Sequence, residues 1–313
     1  MKTSSILTVC MSPTIQKTLV FPGLERDKVN RTGEYSLDAA GKGIDVSRVL
    51  TQLGKSCRHL TQLGGMFRPV FLELCSRDGL RVEWVESYSP IRFCYTLIDR
   101  TDKSVTELVE ESEKVEEGTE ARLLNAFSGL ISESSAEMSF STLVISGTRA
   151  AGFSDTLIPE MVRLGKAQGL RVILDIRGKD LQNSLPFGPD MVKPNLSEFL
   201  STFAGKQVSY NSTSADDLKK RAEEIWAEIY RETPCSLVLT RGKDPVWYAE
   251  KGEFSEYAFE SVEAFNTTGS GDAFTAGLAA ALEDGLTLGE AVAEGVRCGA
   301  LNAGLLRPGV IKI

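Results

Sequence analysis

The residue types that could do chemistry are concentrated in one short stretch, Asn266-Thr267-Thr268-Gly269-Ser270-Gly271-Asp272. Apolar residues recur at helical spacing from Phe274 onward, which predicts a helix that begins between Ser270 and Asp272 and stops near Gly285. Free N–H groups in the first turn of a helix, helped by the positive end of the helix dipole, bind phosphate oxygens. The Asp272 carboxylate would then accept a proton from a hydroxyl group. This pattern is typical of a phosphoryl-transfer site.

The same stretch also has a purely structural interpretation. Asp is a favoured N-cap residue, so Asp272 could simply satisfy the N–H groups at the start of the helix. The Gly-Ser-Gly run could be an ordinary turn. The rest of the chain must decide between these two interpretations.

Composition limits the classes of function. The chain has 313 residues, 42% hydrophobic and 25% charged, which is ordinary for a globular enzyme of one or two α/β domains. Its net charge of −8 disfavours nucleic acid and anionic membranes as partners, so an anionic ligand requires a local cluster of cations. No apolar stretch is long enough to span a bilayer and no export signal is apparent, so we expect a cytoplasmic protein.

The cysteines and the histidine exclude several mechanisms. The six cysteines are scattered without a Cys-x-x-Cys pair, and His59 is the only histidine. This pattern predicts buried, reduced thiols rather than a zinc site or a disulfide framework. A single histidine also argues against Ser-His-Asp and Cys-His catalysis, so a carboxylate is left as the general base.

Short apolar runs alternate with amphipathic segments through most of the chain, which predicts an α/β fold with a mostly parallel central sheet and helices on both faces. Because ligands bind at the carboxyl ends of strands in such sheets, the loops there should converge with the Gly269 turn. The predicted strands are Ile6 to Val9, Thr142 to Ile145, Arg171 to Asp175, Met191 to Lys193 and Ser236 to Thr240, and the predicted helices lie near Val46 to Leu53, Val70 to Cys75, Asp155 to Gln168 and Ala215 to Tyr230.

Two regions depart from this alternation. Thr18 to Phe21 with Val29 to Leu37, and Arg92 to Ile98 with Val105 to Val109, are predicted strand pairs with no helix between their members. We expect them to form a small β-sheet outside the core. The expected division is an α/β nucleotide- and substrate-binding core of residues 1–11, 37–87 and 113–313, and a β-lid of residues 12–36 and 88–112.

Several segments together resemble the PfkB (ribokinase-like) carbohydrate kinases. Asn266 to Phe274 resembles the C-terminal signature of that family, and Ala40 to Leu50 (AGKGIDVSRVL) resembles its N-terminal Gly-Gly-Lys-Gly-Ile-Asn-Val-Ala-Arg pattern. Lys193 to Glu198 resembles the family's Lys-Pro-Asn-x-x-Glu segment, and Thr240 to Lys243 resembles its nucleotide-binding strand end. The resemblance covers essentially the whole chain.

Within the family, the run from Lys28 to Arg31, together with Lys42 and Arg92, looks most like 1-phosphofructokinases and tagatose-6-phosphate kinases, which use MgATP to phosphorylate a sugar phosphate. The resemblance implies ATP and Mg2+ as cofactors, Asp272 as the general base, Lys42 and Arg92 as contacts of the acceptor phosphate, and a possible homodimer through the β-lid. The implied site residues are Asp272, Gly269, Ser270 and Gly271 for catalysis; Gln16, Lys28, Gly41, Lys42, Asp45, Arg92 and Arg149 for the substrate; and Lys193, Asn195, Glu198, Thr240, Gly242 and Asn302 for the nucleotide, with Glu198 and Asn195 at the metal through water.

Four departures from the family pattern lie on the acceptor side. Gln16 stands where the family has an aspartate for sugar hydroxyls, and Asp45 stands where it has the asparagine of Gly-Ile-Asn. Arg149 lies in a segment that replaces Ser-Leu-Pro-Pro and would bring a cation to the rim of the cleft. The family's Arg-x-Asn-x-Lys reads Arg92-Phe93-Cys94-Tyr95-Thr96. The transfer machinery matches the family, whereas the identity of the acceptor stays open.

The leading hypothesis is therefore an ATP-dependent kinase of a phosphorylated sugar. The alternatives are a kinase of an unphosphorylated sugar or nucleoside, and a nucleotide- or sugar-binding regulator with weakened catalysis. The presence of Asp272 argues against lost catalysis, while Gln16 argues weakly for it. A dinucleotide-binding enzyme is disfavoured because no Gly-x-Gly-x-x-Gly follows the first strand.

Overall fold

The computed structural model describes residues 3–132, 138–204 and 214–312. Most of this chain lies in strands and helices that alternate as the apolar runs predict. In chain order the elements are β1 (Thr3–Cys10), β2 (Thr14–Phe21), β3 (Tyr35–Ala40), α1 (Lys42–Gln52), β4 (Cys57–Leu63), α2 (Arg68–Arg77), β5 (Val82–Glu86), β6 (Arg92–Asp99), β7 (Val105–Val109), α3 (Thr119–Ser132), β8 (Met138–Ser146), α4 (Leu157–Ala167), β9 (Arg171–Asp175), α5 (Gly178–Ser184), β10 (Met191–Val192), α6 (Leu196–Phe203), α7 (Ala215–Glu232), β11 (Ser236–Arg241), β12 (Asp244–Glu250), β13 (Glu253–Tyr257), α8 (Ser270–Glu283) and α9 (Leu288–Ala303).

A large sheet forms the centre of the fold. In the described ranges its strand order is β13-β12-β11-β10-β9-β8-β1-β4-β5. The pairs from β11 through to β5 are parallel, and β12 and β13 add antiparallel strands at one edge. Parallel strands are covered on both faces, which is why they read as continuous apolar runs in the sequence. The predicted α/β class is confirmed.

Helices cover both faces of this sheet. One apolar core lies under α3, α4, α6 and α7, and it contains Phe127, Met161, Phe199 and Trp226. A second core lies under α1, α8 and α9 on the other face. The packing therefore fixes the first turns of α1 and α8 relative to the ends of the central strands.

A small second sheet has the strand order β3-β2-β6-β7 among the described residues. Its two antiparallel pairs are joined by a parallel pairing of β2 with β6. The predicted small sheet is confirmed, but the predicted strand from Val29 to Leu37 is wrong in its first half, because β3 begins only at Tyr35. The Asn30 side chain instead bonds to the backbone of Glu25 and Lys28 and closes a loop.

All six cysteines, each within the described part of the chain, are free and buried. The predicted burial of the cysteines is thus confirmed. Among the helices of the described ranges, none is long and apolar enough to cross a membrane.

Candidate active site

A cavity of about 660 Å3 lies between the two sheets. One wall is formed where β1, β8, β9, β10 and β11 end at the carboxyl edge of the large sheet, and the other wall is formed by β2, β6 and β7. The predicted convergence of the strand ends with the Gly269 turn is therefore confirmed. The cavity is lined by these residues from the predicted set: Gln16, Gly41, Lys42, Asp45, Arg92, Lys193, Asn195, Glu198, Thr240, Gly269, Gly271 and Asp272.

The glycine turn at the start of α8 is tightly packed. Gly269 is the N-cap residue, with a left-handed φ of 82°, and it provides no side-chain cap. A Cβ atom there would lie 2.7 Å from the backbone nitrogen of Gly309 and 3.0 Å from Cα of Pro308, so only glycine fits without a shift. Asp272 is the third residue of the helix rather than its cap. The interpretation of Asp272 as an N-cap is therefore wrong.

Asp272 faces the cavity from a buried position and is only 8% exposed. Burial raises the pKa of its carboxyl group well above the ordinary value, and the negative charge of Asp45 raises it further. Lys42 and Lys193 oppose this shift by stabilising the ionised form. A buried carboxylate with a raised pKa is a stronger base, which suits it to take a proton from a hydroxyl group.

Asp175, the last residue of β9, connects the charged groups at the base of the cavity. Its Oδ2 atom accepts a hydrogen bond from Thr275 of α8 at 2.8 Å and lies 3.4 Å from Nζ of Lys193. Its Oδ1 atom lies 3.6 Å from Nζ of Lys42. Burial alone would raise the pKa of Asp175, but the two lysines and the Thr275 hydroxyl outweigh it and hold the pKa below its usual value. Asp175 is therefore ionised and holds both lysines in the site.

Lys42, the first residue of α1, lies between two carboxylates of the core. Its Nζ atom is 3.5 Å from Oε1 of Glu198 and 3.6 Å from Oδ1 of Asp175. Asp175 raises the pKa of Lys42, so the side chain is a cation at neutral pH. These contacts direct Lys42 towards the residues predicted to bind the nucleotide.

Asn195 and Glu198 form a capping box at the start of α6. Asn195 Oδ1 accepts from the Glu198 backbone N–H, and Glu198 Oε2 accepts from the Asn195 backbone N–H. Both side chains therefore have a structural role at the start of α6. The capping box leaves Oε1 of Glu198 facing the cations Lys42 and Arg177 at 3.5 and 3.9 Å. Glu198 can therefore cap α6 with one carboxylate oxygen and keep the other available for a metal ion.

The small sheet carries two of the four departures from the family pattern, Gln16 in β2 and the run from Arg92 to Thr96 in β6. Gln16 lies within β2, is 6% exposed, and donates from Nε2 to Oγ1 of Thr96 at 2.8 Å. Gln16 is therefore a buried residue within a strand of the small sheet and not a solvent-exposed strand end. Thr14 donates to Sγ of Cys94 at 3.3 Å, so these side chains form a neutral polar surface. Within the described residues, Nε of Arg92 is buried with no hydrogen-bond partner, whereas its Nη1 donates to the carbonyl of Glu110.

Asp45 lines the cavity from α1 and forms an ion pair with the buried Arg48. Burial raises the pKa of Asp45 to about 6, although Arg48 opposes this shift. Arg48 also donates to the carbonyl of Pro308, which packs under Gly269. Asp45, a predicted substrate contact, is thus coupled to the glycine turn.

Five predicted site residues lie outside the lining of the cavity. Lys28 is exposed in the loop between β2 and β3. Gly242 lies in the exposed turn between β11 and β12, next to Thr240, so its nucleotide role stays a prediction. Arg149, expected to bring a cation to the rim, donates instead to Asp180 at 2.7 Å. Its guanidinium also donates to the carbonyl of Phe153 at 2.7 Å, because a carboxylate and a carbonyl lie nearer than the cavity.

Asn302 is the fourth of these residues. Its amide donates to the carbonyls of Arg307 and Val310 and holds the C-terminal segment. Ser270 is also absent from the lining, because its N–H donates to the carbonyl of Thr267 and its hydroxyl donates to Oδ1 of Asn302. That the residues from Gly269 to Gly271 contact an anion stays a prediction, and of the three only the two glycines line the cavity.

Three charged residues of the lining are absent from the set predicted from the sequence. Asp175 was recognised only as the end of a strand, although a carboxylate at that edge of a parallel sheet is itself a signal. Arg177 follows two residues later at the same rim. Glu107 of β7 accepts a hydrogen bond from Thr268 of the glycine turn at 3.1 Å, and no local pattern indicates this contact.

A family model described as pfkB family carbohydrate kinase matches residues 10–308. The chain belongs to this family. It is therefore a carbohydrate kinase, a phosphotransferase that acts on a sugar or a sugar phosphate.

Individual relatives of this PfkB kinase are distant in sequence. A tagatose-6-phosphate kinase from Staphylococcus epidermidis is 24% identical over 300 residues, which cover 95% of this chain and 92% of the relative. A mutant of phosphofructokinase-2 from Escherichia coli superposes with a TM-score of 0.82 at 21% identity, covering 98% of this chain and 96% of that one. A possible 1-phosphofructokinase from Thermotoga maritima gives 0.82 at 19% identity, covering 97% and 94%. At these identities the solved structures bear on the fold alone.

Proposed function

We propose that this kinase transfers the γ-phosphoryl group of ATP to a hydroxyl group of a sugar phosphate, in the manner of a 1-phosphofructokinase or a tagatose-6-phosphate kinase. The observation that carries the proposal is the position of Asp272. This buried carboxylate lies at the first turn of α8, between the core cations on one side and the small sheet on the other. A hydroxyl acceptor and a phosphoryl donor can meet only where both walls are within reach.

Asp272 acts as the general base. It takes the proton of the attacking hydroxyl, the hydroxyl oxygen bonds to the γ-phosphorus, and the bond from that phosphorus to the bridging oxygen of ADP breaks. The raised pKa of Asp272 makes proton transfer to it more favourable than to an ordinary carboxylate. Gly269 and Gly271 allow the phosphoryl oxygens to approach the first turn of α8.

Lys42 and Lys193 neutralise the charge that spreads over the transferred phosphoryl group. Both are held by Asp175, which is itself fixed to α8 through Thr275. Because these contacts are made before substrate binds, the cations need little reorganisation during transfer. This role for Lys42 differs from the acceptor-phosphate contact expected from the sequence, since its ion pairs in the structure are with carboxylates of the core.

The residues at the nucleotide end fit a Mg2+ ion shared with phosphates. Mg2+ takes oxygen ligands and is usually held by one or two carboxylates together with substrate phosphates and water. Glu198 has one carboxylate oxygen outside the capping box, and Asn195 adds an amide oxygen beside it. When bound, the ion would neutralise the β- and γ-phosphates and orient them for in-line transfer.

At the acceptor end, Arg92 is the residue proposed to bind the phosphate that the sugar already carries. Its buried Nε has no hydrogen-bond partner among the described residues, so a donor is free for an anion. The tagatose-6-phosphate kinase resemblance supports a phosphorylated acceptor. The β2–β3 and β6–β7 strands would form the lid, with a homodimer through its outer face, where Tyr35, Leu37 and Leu108 are exposed.

The test is an ADP-release assay with MgATP on the wild-type protein. Fructose 1-phosphate, fructose 6-phosphate and tagatose 6-phosphate are compared with unphosphorylated fructose, ribose and adenosine as acceptors. We expect turnover with at least one ketohexose phosphate and far weaker turnover with the unphosphorylated set. The proposal is wrong if unphosphorylated acceptors are used best, or if no sugar supports release.

The role of Asp272 is tested by Asp272→Asn, which keeps the shape of the side chain and removes its basicity. We expect kcat to fall about 10²- to 10⁴-fold with nucleotide affinity nearly unchanged. Asp284→Asn is the matched control, because Asp284 lies at the other end of α8 and pairs with Lys55 at the surface. Equal turnover of Asp272→Asn and Asp284→Asn, with chemistry limiting the rate, would exclude Asp272 as the base.

A further inference from the structure

The cations at the nucleotide end of the cavity differ in how closely they are paired with carboxylates. Lys193 is almost fully buried and lies 3.4 Å from Asp175, while Lys42 lies between Asp175 and Glu198. Their positive charges are therefore largely balanced before any ligand binds. An incoming nucleoside triphosphate brings several further negative charges to a protein whose net charge is already −8.

Among the described residues that line this end of the cavity, Arg177 is a cation whose charge is not balanced by a close ion pair. It lines the cavity two residues after Asp175, and its side chain is 59% exposed. Its ion pair with Glu198 has an N–O distance of 3.9 Å, which is longer than a hydrogen bond. The guanidinium thus keeps its donors available beside Glu198.

Other arginines near the cavity are committed elsewhere. Arg149 is fixed at 2.7 Å to Asp180 and to the carbonyl of Phe153, outside the lining. Arg92 lines the opposite wall, on the small sheet. Arg177 is therefore the guanidinium at the core rim that can meet a phosphate, and a planar guanidinium binds phosphate oxygens in a bidentate fashion.

We propose that Arg177 binds the phosphate chain of the nucleotide at the rim formed by the ends of β9 and β10. This inference rests on the proposed function and adds a binding residue to it. In the ligand-free arrangement Arg177 lies loosely beside Glu198, and on nucleotide binding it exchanges this weak contact for charge-assisted hydrogen bonds to phosphate. Arg177 is a binding residue for the donor and leaves acceptor recognition unaffected.

The test compares the affinities of Arg177→Ala, Arg177→Lys and wild type for adenosine, AMP, ADP and ATP by titration calorimetry with Mg2+ present. Loss of the guanidinium should weaken the nucleotides that carry the contacted phosphate by about 10-fold or more and leave adenosine unchanged. Arg177→Lys keeps the charge and should recover part of the loss. Arg163→Ala is the control, because Arg163 is comparably exposed, pairs with Glu160 and lies outside the cavity lining.

A second comparison separates direct phosphate contact from an effect through Glu198. Arg177→Ala is measured in the wild-type and in the Glu198→Gln background. A direct contact predicts a fold loss of ATP affinity at least as large in Glu198→Gln as in the wild-type background, because Arg177 then has no carboxylate contact to give up. A role limited to orienting Glu198 predicts that the loss disappears in Glu198→Gln.

The outcomes distinguish this inference from the proposed function. If the wild type transfers phosphate to a sugar but Arg177→Ala binds ATP as tightly as Arg163→Ala does, the inference alone is wrong. An equal loss for adenosine and ATP also overturns it. If the wild type neither binds nucleotide nor transfers phosphate, the proposed function and this inference are both wrong.

Discussion

Replacement of Gly269 by alanine tests whether the glycine turn at the start of α8 is held against the C-terminal segment around Pro308 and Gly309. Gly269 has a left-handed φ of 82°, and its missing Cβ position is 2.7 Å from Gly309 N and 3.0 Å from Pro308 Cα. The backbone of Gly309 cannot easily move away, because Gly309 is itself closely packed on Asp45. A Cβ atom on Gly309 would lie 2.8 Å from Cα of Asp45. Side chains that donate to carbonyls of this segment are Arg48, Gln52, Asn266 and Asn302.

The magnitude has two parts. A non-glycine residue in the left-handed region costs about 1–2 kcal/mol. Forcing an extra methyl group against fixed backbone atoms costs about 1–3 kcal/mol more. We therefore expect Gly269→Ala to lower the free energy of unfolding by about 2–5 kcal/mol, and to lower kcat as the turn shifts away from Asp272.

Gly188→Ala provides the matched control. Gly188 also has a left-handed φ, 67°, but no atom lies within 4 Å of its missing Cβ position. It should cost only the conformational part, about 1–2 kcal/mol. Urea denaturation of wild type and both variants measures the difference, with the ADP-release assay as the second readout. If Gly269→Ala unfolds at the same free energy as Gly188→Ala, the close packing of the turn on the C-terminal segment does not constrain it.

Four further substitutions, the last made as a second change, probe the cavity. Asp45→Asn removes a negative charge that raises the pKa of Asp272. Because the base acts in its deprotonated form, the acidic limb of the kcat/KM profile should move to lower pH. An acidic limb at the wild-type pH would contradict the coupling of Asp45 to Asp272. Arg92→Ala should weaken phosphorylated acceptors about 10- to 100-fold in KM without the same loss for unphosphorylated analogues. Gln16→Asp removes the donor to Thr96 and buries a carboxylate, so the free energy of unfolding in urea should fall by about 1–3 kcal/mol. Adding Thr96→Lys, which restores the family's acid and base, should recover most of that loss, and no recovery would show that the two positions act independently.

The parts of the site that the sequence predicts are those whose signals are local. The glycine turn and Asp272 are contiguous, and helical periodicity after them fixes where α8 begins. The capping box of Asn195 and Glu198 has its partners only three residues apart. Such features depend on backbone geometry within one turn, so tertiary structure adds little to them.

The parts that the sequence misses depend on distant partners. Arg149 stands near the end of β8, but its position says nothing about Asp180, which takes the guanidinium away from the cavity. Asp175 becomes a hub only because Lys193 and Thr275 arrive from other elements. A single aspartate at the end of a strand has no spacing that would distinguish it from an ordinary strand end.

The acceptor wall, formed by the small sheet, can change without disturbing the transfer cluster of Asp272, Asp175, Lys42 and Lys193. The parallel pairing of β2 with β6 sets Gln16 opposite Cys94, and Gln16 bonds to Thr96 within the same small sheet. The transfer cluster instead is tied together across the large sheet and α8, through Asp175 and Thr275. Substitutions at Gln16, Cys94 and Thr96 can therefore be accommodated by one another, while Asp272 and its cations keep their positions. Among the described lining residues of the small sheet Arg92 is the one cation, so acceptor choice should follow the position of the acceptor's anionic group relative to Arg92 and the hydroxyl geometry at Gln16.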